Sequence, residues 1–85
     1  NTKDNKEEII LYPNPANNFI YITTSNENIE FSRLEIYNIY GELIKAIKTD
    51  PVNNFSIDIS NFTTGIYLLK VISDKGEFVK KIVKN

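Results

Sequence analysis

Carboxylates are the most abundant ionisable side chains of this sequence, and they would serve either paired-carboxylate hydrolysis or calcium binding. The 85 residues include eleven Asp and Glu but no His and no Cys, so the usual general base, the commonest metal ligand and every thiolate nucleophile are missing. Calcium ligands would come from Asp50, Asn53 and Asn54, or from Asp58 with nearby carbonyls, but neither set has the spacing of a known calcium loop. We therefore predict no catalytic residue, no metal and no cofactor.

Three tyrosines could instead stack on sugar rings, which is how a carbohydrate-binding module would use Tyr21, Tyr37 and Tyr40. Such a function needs a flat row of rings that face solvent. Tyr37 alternates with Leu34 and Ile36 and is expected on the opposite face of its strand, although single exposed tyrosines on β-sandwiches are often structural. An adhesive or carbohydrate-binding accessory module of a secreted enzyme is therefore the alternative function.

The composition is that of one small globular domain. Hydrophobic residues make up 41% and charged residues 25% of the chain, which argues against disorder, and the net charge of −1 predicts no attraction to nucleic acid. No apolar run approaches the roughly 20 residues of a membrane helix. The polar segment Asn1–Glu8 is interpreted as the end of a linker from an upstream part of a longer protein, and residues 9–85 as the domain itself. No small-molecule substrate is expected.

Short segments rich in β-branched and aromatic residues alternate with turn signals, which predicts an all-β, immunoglobulin-like Greek-key β-sandwich of about seven strands. Asp50–Asn54 is predicted to be a loop from its Pro and Asn content. Ile66–Ser73 is almost entirely apolar and is predicted to be a central strand covered on much of both faces. The predicted strands are Ile9–Tyr12, Phe19–Thr24, Arg33–Ile39, Leu43–Lys48, Phe55–Ile59, Ile66–Ser73 and Phe78–Lys84.

Two local motifs predict how the chain moves between sheets. Phe62–Tyr67 has the pattern of a tyrosine corner, in which the Tyr67 hydroxyl returns to a backbone carbonyl and Gly65 allows a bend where a Cβ would clash. Pro13 and Pro15 restrict the residues before them to extended conformations, which should direct the first strand out of one ladder and towards another.

The tail Phe78–Asn85 is rich in lysine, and protection of a terminal edge strand is a sufficient explanation for this when the tail is taken alone. Five segments stand in order along the chain, however: Tyr12–Ala16, Leu34–Ile44, Ile57–Ser60, Phe62–Tyr67 and Lys80–Lys84. Together they resemble the type A C-terminal sorting domain of the type IX (Por) secretion system of the Bacteroidota. Asn38 and Glu42 depart from that pattern, since aspartate and lysine are frequent there.

The resemblance implies a secretion signal that passes through the periplasm and directs a cargo in the same chain to the cell surface or the medium. The implied partners are the outer-membrane translocon and a sortase-like peptidase that removes the domain. We predict that the hairpin Ile66–Lys84 is recognised through a positive stripe on an exposed edge, by an acidic groove or by strand addition. The early motif comprises Pro13, Asn14 and Pro15, and the predicted recognition residues are Gly65, Ile66, Tyr67, Lys80, Lys81, Ile82, Val83 and Lys84.

Overall fold

A computed structural model describes residues 8–25 and 28–85, which form seven strands and no helix. None of these residues therefore belongs to an apolar helix long enough to cross a membrane. The strands are β1 (Ile9–Tyr12), β2 (Phe19–Thr24), β3 (Phe31–Asn38), β4 (Leu43–Val52), β5 (Asn54–Asp58), β6 (Gly65–Ser73) and β7 (Gly76–Lys84).

The strands form two antiparallel sheets, of order β1-β2-β5 and β4-β3-β6-β7. Because β3 follows β2 in the chain but lies in the other sheet, the connections cross between the layers, as in a Greek-key sandwich. The predicted all-β, immunoglobulin-like fold is confirmed. The sheets differ from the constant-type immunoglobulin arrangement in one respect, because β4 pairs with β3 rather than with β5.

Period-two alternation determines which side chains enter the core between the sheets. In β2, Ile20 and Ile22 are fully buried, whereas Phe19 and Tyr21 face solvent. Burial of each such isoleucine stabilises the fold by about 1.5–3 kcal/mol. The fully buried side chains that surround them are Ile9, Ala16, Phe31, Leu34, Ile36, Ile59, Leu69, Val71 and Ile82.

The predicted loop Asp50–Asn54 is wrong, because β4 continues to Val52 and β5 begins at Asn54. Arg33 pairs with Lys48 and Phe31 pairs with Val52, so β4 contains two more residues than β3 between these pairs. The extra residues form a bulge that includes Pro51. Proline is compatible with this position because β4 is the edge strand of its sheet and needs no outward N–H.

β6 is central in its sheet, between β3 and β7, but the prediction that both of its faces are covered is wrong. Tyr67, Leu69 and Val71 point into the core, whereas Ile66 is 46% exposed and Leu68 is 41% exposed. No described element lies over the outer face of this sheet. A continuous apolar strand is therefore half solvated, and its outer face presents hydrophobic side chains.

Candidate recognition site

The tyrosine corner is confirmed. The Tyr67 hydroxyl donates a hydrogen bond to the carbonyl oxygen of Thr63 at 2.7 Å and lies 3.0 Å from the Thr63 Oγ1. The ring is 6% exposed and packs against Phe62, with a centroid distance of 5.0 Å. The proposed reason for Gly65 is wrong, because a Cβ there would meet no heavy atom within 4 Å. Its φ of +153° is the feature that other residues rarely adopt.

The strand register brings the two late motifs together. In the antiparallel pairing of β6 with β7, Gly65 lies opposite Lys84, and Tyr67 lies opposite Ile82. Ile66 pairs with Val83 between them. The segments Gly65–Tyr67 and Ile82–Lys84 are therefore one patch of two neighbouring strands, although they are distant in the sequence.

The residues of this patch alternate between the core and solvent. On the inner side Ile82 is fully buried, and Lys84 is only 9% exposed, with its Nζ donating to the Asn85 carbonyl oxygen at 3.2 Å. Lys80 is half-buried, and Lys81 is exposed on the outer side. The lysines thus lie on both faces of β7, as the sequence predicted, but Lys84 is buried and Lys80 is half-buried, so Lys81 alone of the three is exposed.

The outer side of the patch is instead mainly apolar. Ile66, Leu68 and Lys81 are exposed there and Val83 is half-buried, and the register places Ile66 opposite Val83 and Leu68 opposite Lys81. We call these four residues the outer β6–β7 face. It combines three apolar side chains with one cation.

The early proline motif lies against the same end of β7. The Tyr12-Pro13 and Asn14-Pro15 peptide bonds are both cis. The Asn14 side chain donates from Nδ2 to the Lys81 carbonyl oxygen and accepts at Oδ1 from the Val83 N–H, both at 2.9 Å. The motif thus leads the chain from β1 in the three-stranded sheet to the edge of the four-stranded sheet, as predicted.

Ala16 completes this contact through its backbone and forms an isolated parallel bridge with Lys84. Its N–H donates to the Val83 carbonyl oxygen at 2.8 Å, and its carbonyl accepts from the Asn85 N–H at 2.8 Å. Both Asn14 and Ala16 belong to the Tyr12–Ala16 segment that the sequence singled out, but their contacts with β7 were not predicted. A side-chain amide between two prolines was the one available signal.

A charged cluster lies on the same outer sheet face. The Glu35 carboxylate accepts from the Tyr37 hydroxyl at 2.6 Å and from the Arg33 Nε at 2.7 Å. The hydrogen bond from Tyr37 is the largest cause, and the one from Arg33 the second, of a lowered pKa of Glu35. The Tyr37–Glu35 hydrogen bond also raises the pKa of Tyr37. Lys70 lies 5.8 Å from the Tyr37 ring centroid. A carboxyl held ionised in this way is unsuited to act as a general acid.

The other predicted polar positions make local turn contacts. The Asp58 carboxylate accepts from the N–H and the hydroxyl of Ser60, at 2.9 and 2.6 Å, which lowers the pKa of Asp58. The two residues that depart from the family pattern contact each other, with Asn38 Nδ2 donating to Glu42 at 2.7 Å. Within residues 8–25 and 28–85, no three acidic side chains form a group that could hold a metal ion.

The tyrosines proposed for sugar binding lie in three separate places. Tyr21 is on the three-stranded sheet, Tyr37 is on the four-stranded sheet, and Tyr40 is 82% exposed in the turn between β3 and β4. Tyr21 stacks against Tyr12 with a centroid distance of 5.5 Å, so the two rings cover each other. They form no flat row, and this arrangement does not favour the carbohydrate-binding alternative.

Comparison with known proteins identifies relatives over almost the whole chain. The family model of the secretion system C-terminal sorting domain matches residues 10–85. The ulvan lyase NLR42 of Nonlabens ulvanivorans is 29% identical over 76 residues, which are 88% of this chain and 14% of the lyase. Beta-agarase A of Zobellia galactanivorans is 32% identical over 74 residues, or 87% of this chain and 13% of the agarase. The chain thus spans only a small part of either relative.

Proposed function

The chain belongs to the secretion system C-terminal sorting domain family, and we propose that the outer β6–β7 face is the surface by which an outer-membrane translocon recognises it. Domains of this family are C-terminal signals of the type IX secretion system. The function of this domain is accordingly to direct export across the outer membrane, to the cell surface or the medium.

The observation that supports the recognition surface is the meeting of three motifs at one end of the sandwich. Asn14 contacts Lys81 and Val83, while Gly65–Tyr67 pairs with Ile82–Lys84. Residues that are distant in the sequence thus contribute to one small area, which is expected if a partner binds there.

Burial separates the predicted recognition residues into two roles. Ile66, Lys81 and Val83 are on the accessible side and would contact the partner, together with Leu68, which sequence reasoning missed. Tyr67, Ile82 and Lys84 are buried and would support this face from the core side. Gly65 would support it through the backbone bend. Lys80 is half-buried on the inner side of β7, and its place among the recognition residues stays a prediction.

The chemistry of the face defines the partner surface that fits it. Three apolar side chains would be desolvated by an apolar surface, and an acidic group would pair with the single exposed ammonium of Lys81. An acidic groove that binds a row of lysines fits less well, because Lys84 is buried.

The whole protein would consist of an upstream cargo domain followed by this domain. We propose that a sortase-like peptidase removes the domain at the surface, and that any catalysis resides in the cargo, since both relatives have enzyme names. The proposed linker Asn1–Glu8 falls outside the described residues except for Glu8. Its role and the type A assignment stay predictions.

The direct test is display of a fluorescent cargo. Residues 1–85 are fused to a periplasm-directed fluorescent protein, and surface fluorescence is measured in hosts with and without the type IX machinery. Surface signal in both hosts or in neither would contradict the sorting function.

Variants of the fusion then test the surface. Leu68→Ser and Lys81→Glu alter side chains on the solvent-facing side of the sheet, where Leu68 is 41% exposed and Lys81 is exposed. Each should retain the fusion in the periplasm while the melting temperature stays near that of the parent. Lys48→Glu, on the opposite edge strand β4, is the matched charge control and should be displayed normally. Normal display of both test variants would exclude the outer β6–β7 face. Reversal of Lys80, Lys81 and Lys84 together is less informative, since burial of Lys84 means that it would also unfold the tail.

A further inference from the structure

The outer edge of β7 is already occupied along its last residues. Alternate residues of an edge strand direct their N–H and C=O groups outward, where another strand can pair with them. At this edge the Lys81 carbonyl, both backbone groups of Val83 and the Asn85 N–H are all hydrogen-bonded to Asn14 or Ala16. A strand-adding partner would need these same groups.

We propose that Asn14–Ala16 is a clasp that covers the outer edge of the last residues of β7 and positions the tail. A partner would then contact the side chains of the tail and not its backbone. The clasp holds the backbone of Lys81 and Val83, which are the two residues that β7 contributes to the outer β6–β7 face. Its role in presentation rests on the proposed function. Its occupation of the edge is independent of that function.

The chemistry of the segment suits this role. A carboxamide carries one donor group and one acceptor, as a peptide group does, so Asn14 can bond a C=O and an N–H two residues apart on a strand. Pro13 and Pro15 have no N–H to donate, so the flanking residues add no competing donor. Ala16 is fully buried against β7, where its small side chain allows the two backbones to approach.

Asn14 is therefore a positioning residue, and Asn14→Asp isolates its action. The carboxylate keeps the size of the amide and still accepts from the Val83 N–H. Its second oxygen, however, faces the Lys81 carbonyl with no proton to donate. Below the ordinary Asp pKa of about 4, the protonated carboxyl regains a donor and the contact is restored.

Amide hydrogen exchange followed by NMR on the purified domain measures the clasp directly. At neutral pH we expect the Val83 and Asn85 amides of Asn14→Asp to exchange about tenfold faster than in the parent, since a hydrogen bond of about 1.4 kcal/mol is replaced by a repulsion. Core amides of β3 should be unchanged. Near pH 3 the ratio of variant to parent should return towards one. Asn17→Asp introduces the same charge at an exposed neighbouring position and should leave these amides unchanged at both pH values.

Equal exchange of the Val83 amide in parent and Asn14→Asp at neutral pH, or an acceleration that persists at acidic pH, would overturn the clasp. Display of the same variants in the type IX host then tests presentation. Faster tail exchange with reduced display supports the proposal, whereas faster exchange with full display shows that recognition does not need a fixed tail. Failure of the proposed recognition surface can be told apart from failure of the clasp. In the first case Lys81→Glu would be displayed normally, while the faster amide exchange of Asn14→Asp would still be observed.

Discussion

The tyrosine corner provides the sharpest test of how the sandwich end is stabilised. Tyr67→Phe removes one oxygen, the one that donates to the Thr63 carbonyl at 2.7 Å, and leaves the packing of the ring against Phe62 in place. A net hydrogen bond contributes about 0.5–1.5 kcal/mol, and leaving the half-buried carbonyl without this donor adds part of a desolvation cost. We expect the free energy of unfolding to fall by about 1–2 kcal/mol.

The loss is measured by urea unfolding followed by far-UV circular dichroism, with a thermal scan as a second measurement. For a domain of this size the melting temperature should fall by about 4–16 °C. The slope of free energy against urea should not change, since the two proteins expose the same surface on unfolding.

Tyr40→Phe is the matched control, because this hydroxyl belongs to a ring that is 82% exposed, and its removal should leave stability within about 0.5 kcal/mol. Thr63→Val separates the two contacts of the Tyr67 hydroxyl, since it keeps the carbonyl acceptor and removes the Oγ1 at 3.0 Å. Thr63→Val should lower the free energy of unfolding by less than Tyr67→Phe does. A Tyr67→Phe protein as stable as the parent would refute the assignment of this bend as a stabilising corner.

Three further changes test the core, the backbone and the charged cluster. Ile82→Ala should lower the free energy of unfolding by about 2–5 kcal/mol because the side chain is fully buried, whereas Val79→Ala on the solvent side should change it little. Gly65→Ala should cost about 1–3 kcal/mol through backbone strain alone, since its φ is +153° and a Cβ would meet no neighbour; an unchanged urea midpoint would contradict this. The pKa of Glu35 is lowered in the folded state, so its stabilising contribution is present above the ordinary Glu pKa and declines as the pH falls through the lowered value. Glu35→Gln should flatten the acidic limb of the urea midpoint plotted against pH, and an identical limb would contradict the role of the cluster.

Local patterns predicted much of the fold, because the side of the sheet to which a strand residue points depends on alternation over a few residues. The strand Phe19–Thr24 and the Tyr67 corner were both predicted in this way. The loop predicted at Asp50–Asn54 failed because composition was used where strand position mattered. Proline ends a central strand, but at an edge bulge it does not.

The proposed recognition surface was only partly predictable for the same reason. The motifs and their order were present in the sequence, but the sequence did not show which of the tail lysines would be buried. Lys81 is exposed and Lys84 is buried because β7 alternates and its inner side lies against the core. Leu68 was not singled out, because an apolar residue in an apolar strand is indistinguishable by sequence from its buried neighbours.

Strand content, alternation and the family motifs could be read from the amino-acid order alone, because all of them depend on neighbours within a few residues. The pairing of β4 with β3, the solvation of one face of β6 and the hydrogen bonds of Asn14 to Lys81 and Val83 depend instead on how the two sheets pack. Those contacts join positions 67 and 69 residues apart, and they form only because two packed sheets bring the start and the end of the domain to the same edge.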